Sequence, residues 1–210
     1  DIAMLCEVGG KESLDLLNTR YLKDDYHTAL LPGNSDRGIE MGYLIHKRFP
    51  LTHSLLSHKD KVLNFNYPHE ILEHRKNQTR LKTHRFSRDI AELRLTKDGE
   101  VKIIFLLVHL KSKLDKEGID FGGELRRKAE LHSLIETYNQ RRAEFPRTPV
   151  IVAGDMNGDF ALRREGGLAN AFALLLFIAA MVASVVRGKR EGAGSAASHE
   201  LEEVHDGTHL

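Results

Sequence analysis

Two apolar segments of the sequence end in polar side chains that are suited to chemistry on phosphate esters. Residues 101–110 carry His109 near their end, and residues 149–154 are followed directly by Asp155 and Asn157. An imidazole transfers protons near neutral pH, and a carboxylate activates water or binds a hard cation. An amide group binds phosphate oxygens. This combination of side chains predicts the cleavage of a phosphate ester, with help from a metal ion.

Two further residues complete the set of candidate groups. Glu7 lies near the end of a third apolar run, residues 2–8, and supplies a carboxylate for a cation such as Mg²⁺. Lys111 follows His109 by two positions and supplies an ammonium group for phosphate oxygens. Strand ends present side chains on a rigid frame, so we expect these segment ends to form one site. Taken singly, each residue also fits an ordinary role as a solvated acid, a core histidine or a turn residue.

The segments that must position these residues are strands and helices in alternation. Short apolar runs bounded by turn residues predict strands at residues 2–8, 41–48, 89–95, 101–110 and 149–154. Helical spacing of apolar residues predicts helices at residues 11–22 and 124–144. Asp98-Gly99 supplies the positive φ angles of a tight hairpin turn. Residues 101–110 are apolar on both faces, so both faces of that strand must be covered.

The composition limits the class of protein. The chain has 210 residues, 41% of them hydrophobic and 29% charged, which is typical of one globular domain with or without an appendage. The formal net charge is +1, so any surface that binds nucleic acid has to be a local patch. Cys6 is the single cysteine, which excludes an intrachain disulfide. We therefore expect no cysteine-based partner, and a cytoplasmic location is the expectation that fits a reducing compartment.

Three segments allow more than one interpretation. Residues 74–88 contain six Lys or Arg, two His and no acid, which suits either a surface for a phosphate backbone or a solvated loop. Residues 166–186 carry no charge and reach the length of a membrane span. Their early Gly and Asn residues and their many alanines favour a buried helix over a membrane anchor. Residues 199–210 are acidic and contain three histidines, and we interpret them as a flexible tail rather than a metal site.

Five segments, in their order along the chain, resemble motifs of the endonuclease/exonuclease/phosphatase family, which includes deoxyribonuclease I. They are Asp1-Ile-Ala-Met-Leu-Cys-Glu7-Val, Ser35-Asp-Arg37-Gly, Phe86-Ser-Arg88-Asp, Val108-His109-Leu-Lys111-Ser and Gly154-Asp155-Met-Asn157-Gly. The resemblance implies an α/β fold of the deoxyribonuclease I type, a four-layer α/β/β/α sandwich with its site at one rim. It assigns residues 1–165 to a catalytic core and leaves residues 166–210 as an atypical apolar helix and tail, or as the rest of the same domain.

The resemblance also implies a role for each candidate residue. Glu7 would hold a divalent cation, Mg²⁺ or Mn²⁺. His109 would hydrogen-bond the scissile phosphate or protonate the leaving oxygen. Asp155 would orient or activate the attacking water, and Asn157 would bind a phosphate oxygen.

Arg37 and Lys111 would be accessory phosphate contacts under the same resemblance. The sequence also departs from the family pattern. The family's first strand, which ends in an asparagine near the metal, is not found before residue 1. The closing strands and the Ser-Asp-His motif, whose histidine is the general base, are not found after residue 160. We therefore expect a sandwich that lacks its first and final strands.

The function that follows from the residues and the resemblance is a metal-dependent phosphodiester hydrolase, a nuclease that cuts DNA or RNA by in-line attack of water. Two alternatives remain open. One is a phosphatase or phosphodiesterase acting on a small or lipid-linked phosphate ester, because the same fold serves many substrates. The other is a non-catalytic module that binds nucleic acid, favoured by the missing Ser-Asp-His motif. The basic residues 74–88 favour a nucleic-acid partner, and no membrane partner is expected.

Overall fold

The computed structural model of the protein describes residues 1–115 and 118–158. Its strands are β1 (Ile2–Val8), β2 (Tyr26–Leu30), β3 (Glu40–His46), β4 (Thr52–Ser57), β5 (Val62–Leu63), β6 (His84–Arg85), β7 (Ile90–Lys97), β8 (Glu100–His109) and β9 (Val150–Asp155). Its helices are α1 (Lys11–Tyr21), α2 (Pro68–Asn77) and α3 (Glu124–Glu144), the last preceded by a 3-10 turn at Phe121–Gly123. The predicted apolar helix at 166–186, the tail at 199–210 and the proposed boundary at residue 165 lie outside the described residues.

The strands form two main sheets. The first sheet has the order β1-β3-β2, and both of its pairings are antiparallel. The second sheet has the order β4-β7-β8-β9, with antiparallel pairing except between β8 and β9, which are parallel. β5 and β6 pair separately as a small two-stranded sheet. The parallel pairing places the carboxyl ends of β8 and β9 side by side.

The two main sheets pack face to face around one apolar core. Tyr43 and Ile45 of β3 pack with Leu93 of β7 and Leu107 of β8, and none of these side chains is more than 1% exposed. The hydroxyl of Tyr43 donates a hydrogen bond of 2.8 Å to the carbonyl of Ala91, so the polar end of this buried ring is satisfied. The inner faces of the two sheets therefore form the central layers of a sandwich.

The helices form the outer layers. α1 covers the outer face of the first sheet, where Leu14 packs against Leu30 of β2 and Leu44 of β3. α3 lies against β9 of the second sheet and buries Leu131 and Leu134. The order of layers is helix, sheet, sheet, helix, which confirms the predicted α/β/β/α architecture. None of the helices in residues 1–115 and 118–158 combines the length and apolar character that a bilayer crossing requires.

β8 is covered on both faces, as its sequence predicts. Leu107 belongs to the core between the sheets, with Ile103 and Phe105 packed on the same cluster. The alternate residues Ile104 and Leu106 point to the opposite face and are fully buried there. The hairpin before β8 is also confirmed: Asp98 and Gly99 have φ angles of 53° and 79°. The apolar character of β8 thus follows from its central place in the sandwich.

The sequence did not predict β2, β4, α2 or the two-residue strands β5 and β6. β4 is an edge strand of the second sheet, and its residues alternate between exposed and half-buried, so it carries little apolar signal. α2 has one buried residue, Glu70, and lacks an apolar stripe. Glu70 holds the start of this helix, because its carboxylate accepts a hydrogen bond of 3.0 Å from the amide of Tyr67. The basic residues 74–88 therefore begin on the last turn of α2 and continue through β6.

A buried carboxylate connects α3 to the second sheet. Glu92 of β7 is fully buried and accepts hydrogen bonds from His58 (2.7 Å), Arg94 (2.6 Å) and Arg141 of α3 (2.8 Å). Burial disfavours its ionised form, but these three donors outweigh that effect and hold the pKa of Glu92 at about 2. The ionised Glu92 therefore stabilises the folded state above the ordinary carboxyl pKa, and this contribution to the free energy of unfolding is lost as the pH falls towards 2.

We expect Glu92→Gln to destabilise the protein by about 3–5 kcal/mol, because it leaves buried cationic partners without their counter-charge. Urea denaturation at neutral pH measures this change in the free energy of unfolding. Glu144→Gln is the matched control, since Glu144 pairs with the same Arg141 but its side chain is 46% exposed. The control should lose less than about 1 kcal/mol. Equal losses in the two variants would contradict the assignment of Glu92 as the connection to α3.

The parallel strands β8 and β9 approach closely at Gly154. Its φ angle is 123°, and a Cβ atom there would lie 1.9 Å from the carbonyl oxygen of Val108. Only glycine adopts this backbone conformation without a side-chain clash. Gly154 is therefore required for the register that pairs Val108 with Gly154 and His109 with Asp155.

Gly154→Ala should separate the ends of β8 and β9 and destabilise the protein by more than about 3 kcal/mol, since strain and a backbone clash act together. Gly99→Ala is the matched control. Gly99 also has a positive φ angle, but a Cβ atom at this turn would meet nothing within 4 Å. The control should lose only about 1–2 kcal/mol. Thermal unfolding of the two variants checks the difference, and similar melting temperatures would contradict it.

Candidate functional site

His109 and Asp155 end two adjacent strands and face each other. The parallel register pairs them directly, and His109 Nε2 lies 3.8 Å from Asp155 Oδ2. The amide of Leu110 donates a hydrogen bond of 2.9 Å to the carbonyl of Asp155, which extends the pairing past the strand ends. His109 is 3% exposed, whereas the side chain of Asp155 is 53% exposed. The pair thus presents a solvent-facing carboxylate against a buried imidazole.

Asn157 is turned back towards the same strand ends. Its φ angle is 49°, and its amide N–H donates to Asp155 Oδ1 at 2.8 Å. Its side-chain Nδ2 donates to the carbonyl of Leu110 at 3.0 Å. Asn157 therefore fixes the orientation of the Asp155 carboxylate and of the chain that follows His109. This positioning accounts for a left-handed conformation that few residues other than glycine adopt.

Glu7 reaches the site through a bulge in β1. The pairing of β1 with β3 shifts register between Leu5 and Val8, and Glu7 within this bulge has a φ angle of 60°. The thiol of the preceding residue, Cys6, contacts the carbonyl of Val108 at 3.6 Å. The end of β1 therefore lies beside the ends of β8 and β9, and the exposed Glu7 carboxylate is close enough to act on the charge of His109. A bulge commonly re-aims a side chain in this way.

Arg88 is a buried cation at the centre of these groups, and the sequence analysis gave it no role in the site. It is 6% exposed, and its Nη1 donates to the carbonyl of Leu110 at 2.9 Å. Burial lowers the pKa of its guanidinium, and the nearby carboxylates of Glu130, Glu7 and Asp155 offset this only in part. Its Nε is buried with no hydrogen-bond partner among the described residues. Arg88 thus has an unused N–H donor near the carboxylates of Glu7 and Asp155.

Glu130 was also missed, and it organises the far side of the site. This α3 residue is fully buried, and its carboxylate accepts hydrogen bonds from the amides of Ser87 (2.7 Å) and Lys111 (2.6 Å). It therefore joins the segment before β7 to the segment after β8, since Ser87 precedes Arg88 and Lys111 follows Leu110, whose carbonyl accepts a hydrogen bond from Arg88. The sequence places Glu130 next to Leu131, on the face of the helix that packs inwards, and this position indicates a buried acid with polar partners.

Lys111 and Arg37 flank this arrangement and line the same groove. The ammonium of Lys111 donates to the carbonyls of Ser112 and Leu114 in its own loop. Burial, together with the neighbouring Arg88, lowers the pKa of Lys111. Arg37 is exposed on the loop before β3 and is close enough to lower the pKa of His109. The structure therefore brings Glu7, His109, Asp155 and Asn157 together, with Arg37 and Lys111 at their side.

The imidazole of His109 is held in its neutral form. Burial and the neighbouring Arg88 guanidinium lower its pKa below the ordinary value, and the carboxylates of Asp155 and Glu7 offset this only in part. Its Nδ1 is buried with no hydrogen-bond partner among the described residues. A neutral imidazole carries one N–H donor and one acceptor nitrogen. His109 can therefore donate one hydrogen bond to an anion at this rim, and its other ring nitrogen can accept a hydrogen bond.

Two exposed carboxylates, Glu7 and Asp155, are the groups that suit a divalent cation. Among residues 1–115 and 118–158, no group of three or more His, Cys, Asp or Glu side chains is arranged as a metal cage. Mg²⁺ does not require such a cage, since it usually binds through one or two carboxylates and keeps several waters. The donor set at this rim therefore fits Mg²⁺ or Mn²⁺ better than a metal that prefers nitrogen or sulfur ligands.

Comparison with known proteins gives distant structural similarity only. No protein-family model and no curated protein sequence matches the chain. The chain is similar to a truncated Caenorhabditis elegans TDP2, with 20% identity and a TM-score of 0.45 over 76% of this chain and 50% of that one. It is also similar to the selenomethionine form of C. elegans TDP2, with 19% identity and a TM-score of 0.44, and to a further crystal structure of C. elegans TDP2, with 20% identity and a TM-score of 0.45. Each of these two matches covers 76% of this chain and 38% of the TDP2 chain. The chain spans half or less of the length of these structures, and similarity at this level transfers no residue roles.

We expect the lowered pKa of His109 to make the protein sensitive to mild acid. A group whose pKa is lowered by folding contributes stability above its unfolded pKa, about 6.5 for histidine, and this stability is lost as the pH falls through the folded pKa. His109→Asn should therefore lose less stability than the wild type between about pH 7.5 and pH 5. Urea denaturation in the presence of a chelator measures the difference. His132→Asn, at an exposed position of α3, should behave as the wild type. An unchanged pH dependence in His109→Asn would contradict the expectation.

Proposed function

We propose that this chain is a metal-dependent phosphodiester hydrolase whose substrate is nucleic acid. The observation that carries the proposal is the pairing of His109 with Asp155 at the ends of β8 and β9, with Glu7 and Arg88 beside them. A buried imidazole, two solvent-facing carboxylates and a buried guanidinium are the groups that phosphodiester hydrolysis requires.

Each group has a distinct task in this proposal. Asp155 orients the attacking water and accepts its proton, because its carboxylate is exposed and is fixed by the amide of Asn157. His109 hydrogen-bonds the scissile phosphate, since its neutral ring keeps an N–H donor. Arg88 neutralises the charge that develops on the phosphate oxygens. Asn157 and the exposed Arg37 supply further contacts to those oxygens.

Glu7 would hold the cation of this hydrolase. A bound Mg²⁺ or Mn²⁺ polarises the phosphate and stabilises negative charge in the transition state. The bulge in β1 supports this role for Glu7, because it turns an exposed acid towards the solvent beside the ends of β8 and β9. Positioning and charge neutralisation together supply most of the rate in reactions of this class.

The test is the nicking of supercoiled plasmid DNA with Mg²⁺ and with a chelator. We expect activity only with Mg²⁺, and a loss of about 10²–10⁴-fold in His109→Ala and in Asp155→Ala, since each removes a group that acts in the transition state. His132→Ala is the matched control, because this histidine is exposed on α3 away from the strand ends. It should nick at the rate of the wild type.

Two outcomes would contradict the proposal, one in its substrate and one in its catalytic activity. Hydrolysis of inositol phosphates or lipid head groups without nicking of DNA or cleavage of RNA would keep the hydrolase but reject the nucleic-acid substrate. Tight binding of nucleic acid with no turnover, unaffected by either site variant, would instead identify a non-catalytic binding module.

A further inference from the structure

A groove with a volume of about 470 Å³ opens beside the candidate site. It begins at site residues and continues along the small sheet and the start of α3. We call it the basic groove and define it by the basic residues in its lining: Arg37, Lys82, His84, Arg88, Lys111 and Arg126. The groove is larger than one phosphate group needs, so the reaction itself does not account for its far end.

The far end of the groove presents cations with free donor capacity. The side chain of Lys82 is 69% exposed, and its closest carboxylate oxygen belongs to Glu70 at 3.7 Å. Arg126 donates through Nη2 to the carbonyl of Arg85 at 2.9 Å, which anchors the guanidinium at the edge of the groove. Lys111 lies between the two ends, and both Arg88 and Arg126 add to the effect of burial in lowering its pKa. A row of cations this close together favours a bound anion.

The acids of the groove are engaged by the chain itself. Glu70, Asp115 and Asp120 each accept hydrogen bonds from backbone amides, and Glu70 also accepts one from His84 at 2.8 Å. Glu70 and Asp120 are 5% and 4% exposed, so little of their surface faces a ligand. Asp36 is the remaining acid of the lining, and it lies on the exposed loop next to Arg37. The side chains that a ligand meets in the groove are therefore mainly cationic.

An aromatic surface adjoins these cations. His69 is exposed, lines the groove and stacks on Tyr67, with ring centroids 5.6 Å apart and an interplanar angle of 15°. Tyr67 in turn contacts the ring of His84 edge to face at 5.3 Å. Tyr67 is 5% exposed, so the exposed ring of His69 is the flat surface of this pair on which a base can stack beside the cations. A small phosphate ester bound at the strand ends would contact neither this ring nor the cations at the far end of the groove.

We infer that the basic groove binds the sugar–phosphate backbone of a polynucleotide beyond the scissile phosphate, with Lys82 and Arg126 as the remote phosphate contacts. The inference rests on the proposed hydrolysis at the strand ends and narrows its substrate to a nucleic acid strand of several nucleotides. A mononucleotide or inositol phosphate at His109 would leave the far end of the groove empty. Lys82, His84 and Arg88, three of the basic residues in the segment 74–88, line the groove, and this segment contains no acid.

The test compares charge reversal inside and outside the groove in the full chain. Lys82→Glu changes a groove residue whose side chain is 69% exposed and whose ammonium lies 3.7 Å from the Glu70 carboxylate. Arg80→Glu is the matched control, because Arg80 is exposed in the same basic segment but does not line the groove. The probe is a fluorescent oligonucleotide of about 12 nucleotides, and anisotropy with a chelator present measures binding without cleavage.

We expect Lys82→Glu to weaken oligonucleotide binding about tenfold or more, and to reduce the slope of log Kd against log salt concentration by about one. Arg80→Glu should change binding less than about twofold, because it leaves the phosphate contacts in place. Equal effects of the two variants, or no effect of Lys82→Glu, would overturn the inference, since binding would then follow the general charge of the segment or another surface.

A second measurement separates this inference from the proposed function. Hydrolysis of bis(p-nitrophenyl) phosphate with Mg²⁺ reports on the strand-end site without the groove. If the wild type hydrolyses this small diester while Lys82→Glu and Arg80→Glu bind oligonucleotide alike, the function stands and the groove assignment fails. If the wild type fails to hydrolyse it while only Lys82→Glu loses binding, the groove stands and the hydrolase assignment fails.

Discussion

The close parallel approach of β8 and β9 is the constraint on which the candidate site depends. Gly154 lies against the carbonyl of Val108 with no room for a side chain, and this contact sets the register one residue before His109 meets Asp155. A shift of one residue would turn the imidazole and the carboxylate to opposite faces, because side chains alternate along a strand. The chemistry at the rim therefore follows from a backbone requirement inside the sheet.

Two buried carboxylates, Glu92 and Glu130, connect α3 to the second sheet and to the loops beside this pair of strands. α3 contributes few apolar side chains to the interface, and two carboxylates compensate: Glu130 binds the amides of Ser87 and Lys111, and Glu92 of β7 binds Arg141. Ionised groups in a protein interior are stable only when their partners are in place, so these contacts favour one position of α3. The contacts of Glu130 fix Ser87, which precedes Arg88, and Lys111, which follows the Leu110 carbonyl that Arg88 binds. The position of α3 and the backbone beside the site thus depend on two sets of buried polar contacts, one at Glu92 and one at Glu130.

The elements predicted correctly from the sequence are those with strong apolar patterns. β1, β8, β9, α1 and α3 were all placed to within two residues, and the Asp98-Gly99 hairpin was recognised from its turn chemistry. β4 and α2 were missed because neither has an apolar periodicity. β4 is an edge strand, and α2 is stabilised through Glu70 and its partners. Elements that depend on specific polar contacts cannot be recognised from hydrophobic spacing.

The sequence by itself determined which segments form apolar strands and amphipathic helices, since such segments must bury their apolar faces against one another. The four-layer order came from the resemblance of five motifs to a known family. The sequence also determined the side-chain types at the ends of β1, β8 and β9. Only the tertiary structure decided that Glu7, turned outwards by a bulge, lies beside His109 and Asp155, and that Arg88 and Glu130 stand behind them. Those neighbours come from segments far apart in the chain, and their proximity depends on sheet register and on the packing of α3, which no local pattern of residues encodes.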